Sequence, residues 1–142
     1  MYILKTSSCF DSAHFLKDYD GKCANIHGHR WMVEIEIADD KLSDTGKNKG
    51  MVVDFSQLKD DLSKLTDYFD HSLIIEKNSL KEKTKAALLE ENFRIIEVDF
   101  RPTAENFSRY FYEQMKSMNY KVIKACVYET PKNCATYCEG IS

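Results

Sequence analysis

The run from His27 to Ile37 constrains this chain more than any other segment. Its odd positions read His27, His29, Trp31, Val33, Ile35 and Ile37, and its even positions Gly28, Arg30, Met32, Glu34 and Glu36. Successive side chains of a strand point to opposite faces, so the alternation predicts a strand with one face on a core and the other in water. A sheet of that kind needs helices over its apolar face, which gives an α+β architecture. Both histidines continue the apolar face, where an imidazole is costly unless a partner satisfies it.

The remaining elements follow from the same reading. Tyr2 to Phe15 is strand-like, with Phe10, Ser12 and His14 on one face, and a loop from Leu16 to Ile26 leads into the alternating strand. After a polar stretch from Asp39 to Gly50, the residues Phe55, Leu58, Leu62, Leu65 and Phe69 recur at helical spacing. Asp54 is placed as the N-cap of that helix, with Gln57 three residues on, and the helix ends near Asp70-His71. The charged segment Glu76 to Asn92 reads as an exposed, partly helical insert, followed by a short strand from Phe93 to Phe100. Pro102-Thr103 opens a second helix whose apolar stripe is Phe107, Phe111, Met115 and Met118. A strand from Val122 to Glu129 stops near Pro131, and a last short strand covers Cys134 to Glu139. The order is β-β-α-α-β-β with additions, and no internal repeat is present.

At 142 residues the chain fits one domain, 1–142, since domains run to roughly 100–200 residues. A chain of this size buries enough surface to fold without a structural metal, so a metal site would be functional. The net charge of −3 carries no basic block, which disfavours nucleic acid as a partner. Five cysteines without a C-x-x-C pair do not form a disulfide framework or a cysteine-rich zinc site. The segment from Met1 reads as a strand and not a signal peptide, no stretch has the apolar length of a membrane span, and a cytoplasmic location is expected.

The chemistry concentrates in Cys23-Ala-Asn-Ile-His27-Gly-His29, with His14 on the preceding strand. His27 and His29 lie two apart on a strand and project to one side. A hairpin through the loop brings His14 beside them, supplying three nitrogen ligands with an open position. Imidazole ligands without a carboxylate cluster favour Zn²⁺ over calcium or magnesium. Cys23 lies four residues before His27, where it can reach a substrate at the metal or close the site as a fourth ligand. Asp70 can orient His71 as a general acid/base, although an exposed surface pair is the default for such a dipeptide. Glu129 ends a strand on its apolar face, where its carboxylate can accept a pair of N–H groups from a ligand or pair with Lys132 or an arginine. Lys17, Lys22 and Arg30 flank the metal loop and can contact phosphate.

Taken together, Phe10-x-x-Ala13-His14, Cys23-x-x-x-His27-Gly-His29, Val53-Asp54-Phe55, Asp70-His71, Pro102-Thr103-x-Glu105-Asn106 and Glu129-Thr130 resemble the 6-pyruvoyl-tetrahydropterin synthase superfamily over nearly the whole chain. The three-residue spacer between Cys23 and His27 resembles its 6-carboxy-5,6,7,8-tetrahydropterin synthase branch, which belongs to 7-deazaguanine and queuosine biosynthesis. The resemblance implies a tunnelling fold: an antiparallel four-stranded sheet with two helices on one side, assembled as trimers that close a barrel and stack into a homohexamer. It further implies that active sites lie between subunits and that His14, His27 and His29 hold Zn²⁺. Cys23 would be the base, Asp70 and His71 its acid/base partner, and Glu129 the pterin anchor, with Thr103 and Glu105 as weaker contacts. The implied reaction turns 7,8-dihydroneopterin triphosphate into 6-carboxy-5,6,7,8-tetrahydropterin, acetaldehyde and triphosphate. The alternatives are a pyruvoyl-forming or aldolase-type activity, or a non-catalytic oligomer held by zinc.

Overall fold

The alternating segment forms strand β2, His27–Asp39, which pairs antiparallel with β1, Tyr2–His14, over the full length of both. The rung next to the loop that joins the two strands sets His14 opposite His27, and the second rung beyond it sets Ser12 opposite His29. This is a computed structural model and describes residues 1–140. Along β2 the odd positions from Trp31 to Ile37 are buried, with Trp31, Val33 and Ile35 at 0% exposure. Strand β5, Val122–Thr130, pairs antiparallel with β2, and β6, Asn133–Tyr137, pairs antiparallel with β5.

These four antiparallel strands are the expected sheet, but the sheet has six strands, in the order β4-β3-β1-β2-β5-β6. The two additions are β3, Ser72–Glu76, and β4, Ile95–Val98, which run parallel to β1 and to each other on its outer edge. Ser72-Leu-Ile-Ile-Glu76 escapes a reading by periodicity because a five-residue apolar run carries no period of its own. A parallel strand buried on both faces has no alternation to reveal it. Ile74 and Ile75 are both buried, which is the signature of that environment.

Helix α1, Phe55–Phe69, buries Leu58, Leu62, Thr66 and Phe69, and its cap Asp54 accepts from the Ser56 N–H at 2.7 Å rather than engaging Gln57. Helix α2, Glu82–Glu90, lies in the predicted charged insert and buries nothing. Helix α3, Ala104–Ser117, starts at Thr103, whose hydroxyl oxygen accepts from the Asn106 N–H, and buries Phe107, Phe111 and Met115. The described residues therefore form three α-helices where two were expected on one side of the sheet, and α1 and α3 carry the apolar contacts. Phe10 and Trp31 stack with centroids 5.8 Å apart, and Phe69, Phe107 and Phe111 close around them. The aromatic cluster ends at the histidines: Trp31 meets the edges of His14 and His29 at 4.9 and 5.4 Å.

Candidate metal centre and its surroundings

The β1–β2 register places three imidazoles at one end of the core. Each of His14, His27 and His29 offers a nitrogen within 4.8 Å of the others. His14 is held from behind by the Pro102 carbonyl, which accepts from its Nδ1 at 2.7 Å, and His27 by the Asn25 carbonyl, which accepts from its Nδ1 at 2.6 Å. A carbonyl can only accept, so both Nδ1 atoms carry a proton, and in the neutral rings both Nε2 atoms present lone pairs. Those two Nε2 atoms lie 3.1 Å apart. The Nε2 of His29 is buried and has no hydrogen-bond partner.

Two neutral acceptors face to face and a third nitrogen without a partner are unfavourable at a partly buried site, and a cation coordinated by all three would remove both penalties. Burial pushes the His14 imidazole down to about 4, with His27 and His29 adding to the effect and the Pro102 carbonyl opposing it. Burial also lowers His29, against the opposing pull of Glu129. Both rings are thus held neutral, the form that ligates metal. The donor set is all imidazole, which suits zinc and other borderline transition metals.

Glu129 ends β5 with one carboxylate oxygen 3.4 Å from the His14 Nε2 and 3.6 Å from the His29 Nε2. It is the acidic group at the mouth of the triad, paired with neither Lys132 nor an arginine among the described residues. Beyond it opens a cleft of about 340 Å³ that Glu129 shares with Thr103, Glu105, Leu16, Tyr19 and Arg101. The three residues expected to meet a substrate therefore border one cavity. The Thr103 hydroxyl oxygen accepts at the α3 cap, which leaves its O–H as the group it can offer a ligand.

Cys23 is half-buried in a 3-10 turn, Lys22–Ala24, on the loop that joins the two ligand strands. Its carbonyl accepts from the Leu16 N–H at 2.9 Å, so the loop is closed across its base. Asp70 and His71 do touch: the His71 Nδ1 lies 2.8 Å from the Asp70 Oδ2. Asp11 clasps the pair through its backbone, its N–H donating to Asp70 at 2.8 Å and its carbonyl accepting from the His71 N–H at 2.7 Å. These contacts fix His71 at a φ of 55°, a left-handed conformation uncommon for a residue with a side chain. The Asp11 N–H and the imidazole hold the Asp70 carboxyl below its ordinary range. The His71 side chain is 80% exposed, and no hydrogen bond or ion pair joins the dyad to the histidine triad among the described residues.

Several contributors were not legible beforehand. The Asn25 and Pro102 carbonyls orient ligands through the backbone, which has no side-chain signature. Arg30, a candidate phosphate contact, is engaged in a two-pronged pair with Asp11 at 3.0 Å on each arm. Arg101 reaches over from the segment before α3, a position that carries no motif.

A sequence model of the family described as 6-pyruvoyl tetrahydropterin synthase matches residues 3–140. The chain is 36% identical over 142 residues to the 6-carboxy-5,6,7,8-tetrahydropterin synthase of Haemophilus influenzae, covering 98% of this chain and 100% of that protein. It is 33% identical to the protein of the same name from Aquifex aeolicus, over 89% of this chain and 83% of the other. Among solved structures, an uncharacterized protein from Wolinella succinogenes superposes with a TM-score of 0.79 at 20% identity, covering 98% of both chains. The 6-pyruvoyl tetrahydropterin synthase of Caenorhabditis elegans gives 0.68 at 25% identity, over 98% of this chain and 96% of that one.

Proposed function

Because the chain belongs to the 6-pyruvoyl tetrahydropterin synthase family, we propose that it is a zinc-dependent lyase that converts 7,8-dihydroneopterin triphosphate into 6-carboxy-5,6,7,8-tetrahydropterin, acetaldehyde and triphosphate, in 7-deazaguanine and queuosine biosynthesis. The observation that carries this reading is the set of converging imidazole nitrogens, two of them locked as acceptors by backbone carbonyls, beside a cleft bordered by Glu129, Thr103 and Glu105. The relatives named for the carboxy-forming reaction support the branch.

In this reading His14, His27 and His29 hold Zn²⁺, which when bound supplies Lewis acidity to the side-chain oxygens of the substrate. Glu129 anchors the pterin, its two oxygens matching the 2-amino and N3–H edge of the ring, and it turns from the triad towards the cleft to do so. Thr103 and Glu105 line the same cavity. Cys23 takes the proton from the substrate side chain, and Asp70 holds His71 in the tautomer that exposes Nε2 for proton exchange on the opposite side. The exposure of the dyad accords with a site completed by a neighbouring subunit, in a homohexamer built as a dimer of trimers. The chain works as one domain in the cytoplasm. No helix among the described residues is long and apolar enough to cross a membrane.

The test is to incubate the zinc-loaded protein with 7,8-dihydroneopterin triphosphate, identify the pterin by mass spectrometry and assay acetaldehyde in the same tube. Carboxytetrahydropterin with stoichiometric acetaldehyde is the expected result. A pyruvoyl product, or side-chain cleavage without the carboxylate, moves the chain to another branch with the same metal site. Absence of turnover, with dissociation on chelation, returns the zinc-held oligomer.

A further inference from the structure

The Arg101 side chain makes no hydrogen bond to α3 or the sheet among the described residues, yet it lines the cleft with Glu129. Its Nη2 donates to the Lys17 carbonyl at 3.0 Å, and its guanidinium lies over the Tyr19 ring, 5.7 Å from the centroid. Its Nε is buried without a partner, a desolvation cost that the loop contacts must outweigh. The Tyr19 ring also lies close to Gly21, where an added Cβ would stand 2.8 Å from the ring. Both residues that Arg101 grips, Lys17 and Tyr19, belong to the loop carrying Cys23, and that loop is closed by the Leu16 N–H on the Cys23 carbonyl. The next residue after Arg101 is Pro102, whose carbonyl holds His14. The Arg101 carbonyl accepts from the Asn106 side chain at 2.9 Å, which fixes the segment to α3.

We infer that Arg101 is the positioning residue that holds the Cys23 loop at the cleft bordered by Glu129, gripping the loop through Lys17 and Tyr19 while its neighbour Pro102 orients His14. One short segment, Arg101-Pro102, then restrains both the Cys23 loop and the His14 ring. This inference rests on the catalytic reading of Cys23, but the loop's restraint can be measured without turnover.

The experiment compares wild type, Arg101→Ala, Arg101→Lys and Tyr19→Ala in three readouts. The first is limited trypsin cleavage after Lys17 and Lys22, followed by mass spectrometry; the Arg101-Pro102 bond is a poor trypsin site, so the substitution does not itself change the digest. The second is the rate of Cys23 alkylation by iodoacetamide. The third is the split between kcat and KM. Losing one charge-assisted hydrogen bond and one cation–π contact should speed cleavage at both lysines by roughly tenfold. Cys23 alkylation should rise with it, kcat should fall at least tenfold with KM little changed, and Arg101→Lys should restore part of the loss. The inference fails if folded Arg101→Ala is cut and alkylated at the wild-type rate. If Arg101→Ala does not fold, Tyr19→Ala decides, since Tyr19 sits on an exposed loop: unchanged cleavage and alkylation there overturn the inference. A wild-type protein inactive on the pterin substrate refutes the proposed function and leaves the cleavage and alkylation results standing on their own.

Discussion

Acidifying the metal-free protein should destabilise it well before its carboxylates titrate. His14 falls from 6.5 to about 4 on folding because its ring is buried. Above pH 6.5 neither state binds the proton, and the stability is whole. Between 6.5 and about 4 the unfolded chain takes up a proton that the folded chain refuses, so stability declines as pH falls through that window. At 1.36 kcal/mol per pH unit the loss is about 2 kcal/mol by pH 5 and about 3 kcal/mol by pH 4. That is a large part of the roughly 5–15 kcal/mol that holds a domain of this kind together. His29 is lowered by the same burial and acts in the same direction. Asp11, Asp39 and Asp70 are held below 3.8 in the fold, so their contribution is lost only at lower pH, outside the histidine window. The assay is urea unfolding of chelator-treated protein at one concentration from pH 7.5 to pH 5, followed by the fluorescence of Trp31, which is the one tryptophan and touches His14. With a slope of roughly 2 kcal/mol per molar urea, the midpoint should drop by about 1 M. A midpoint unchanged over that range, or a His14→Asn variant with the same pH slope as wild type, refutes the reasoning.

Three further outcomes are expected. His27→Ala should lower bound zinc, measured by elemental analysis after gel filtration, by about tenfold or more while leaving the circular dichroism spectrum intact, since two of the three ligands remain on a preformed ladder. Asp70→Asn, which can keep its oxygen on the Asp11 N–H and then turns an NH2 donor to the His71 Nδ1, favouring the other tautomer, should reduce kcat by roughly 10²–10⁴-fold with zinc content unchanged; a loss of zinc instead would tie the dyad to the metal. Ile35→Ala at the centre of β2 should cost about 2–5 kcal/mol in chemical unfolding through the cavity it leaves, and a cost below 1 kcal/mol would mean the site collapses around the smaller side chain.

The parts of this molecule that announce themselves in the sequence are those where a side chain's face and its chemistry coincide. His27 and His29 sit in phase with Trp31 and Val33, so a single alternation located both the strand and two members of the histidine cluster. His14 required only the hairpin register, which pairs it with His27. Two kinds of information were out of reach. The strand at Ser72–Glu76 is short and buried on both sides, and its partner β1 is distant in the chain, so no local pattern marks it. The parts played by Asn25, Pro102 and the backbone of Asp11 belong to peptide groups that every residue carries. Their importance comes from where folding puts them.

The ladder from which the ligands project has a consequence for metal exchange. His14 and His27 face each other across the last rung of a pairing that continues through Tyr2 and Asp39. An ion bridging them ties together two points that backbone hydrogen bonds have already joined, so it removes almost no chain freedom. Zinc fingers gain order from their ion; here the order is prepaid by the sheet, and an ion held by the three histidines would add little to it. Loading and stripping of a metal should therefore be readily reversible and need no refolding of the chain.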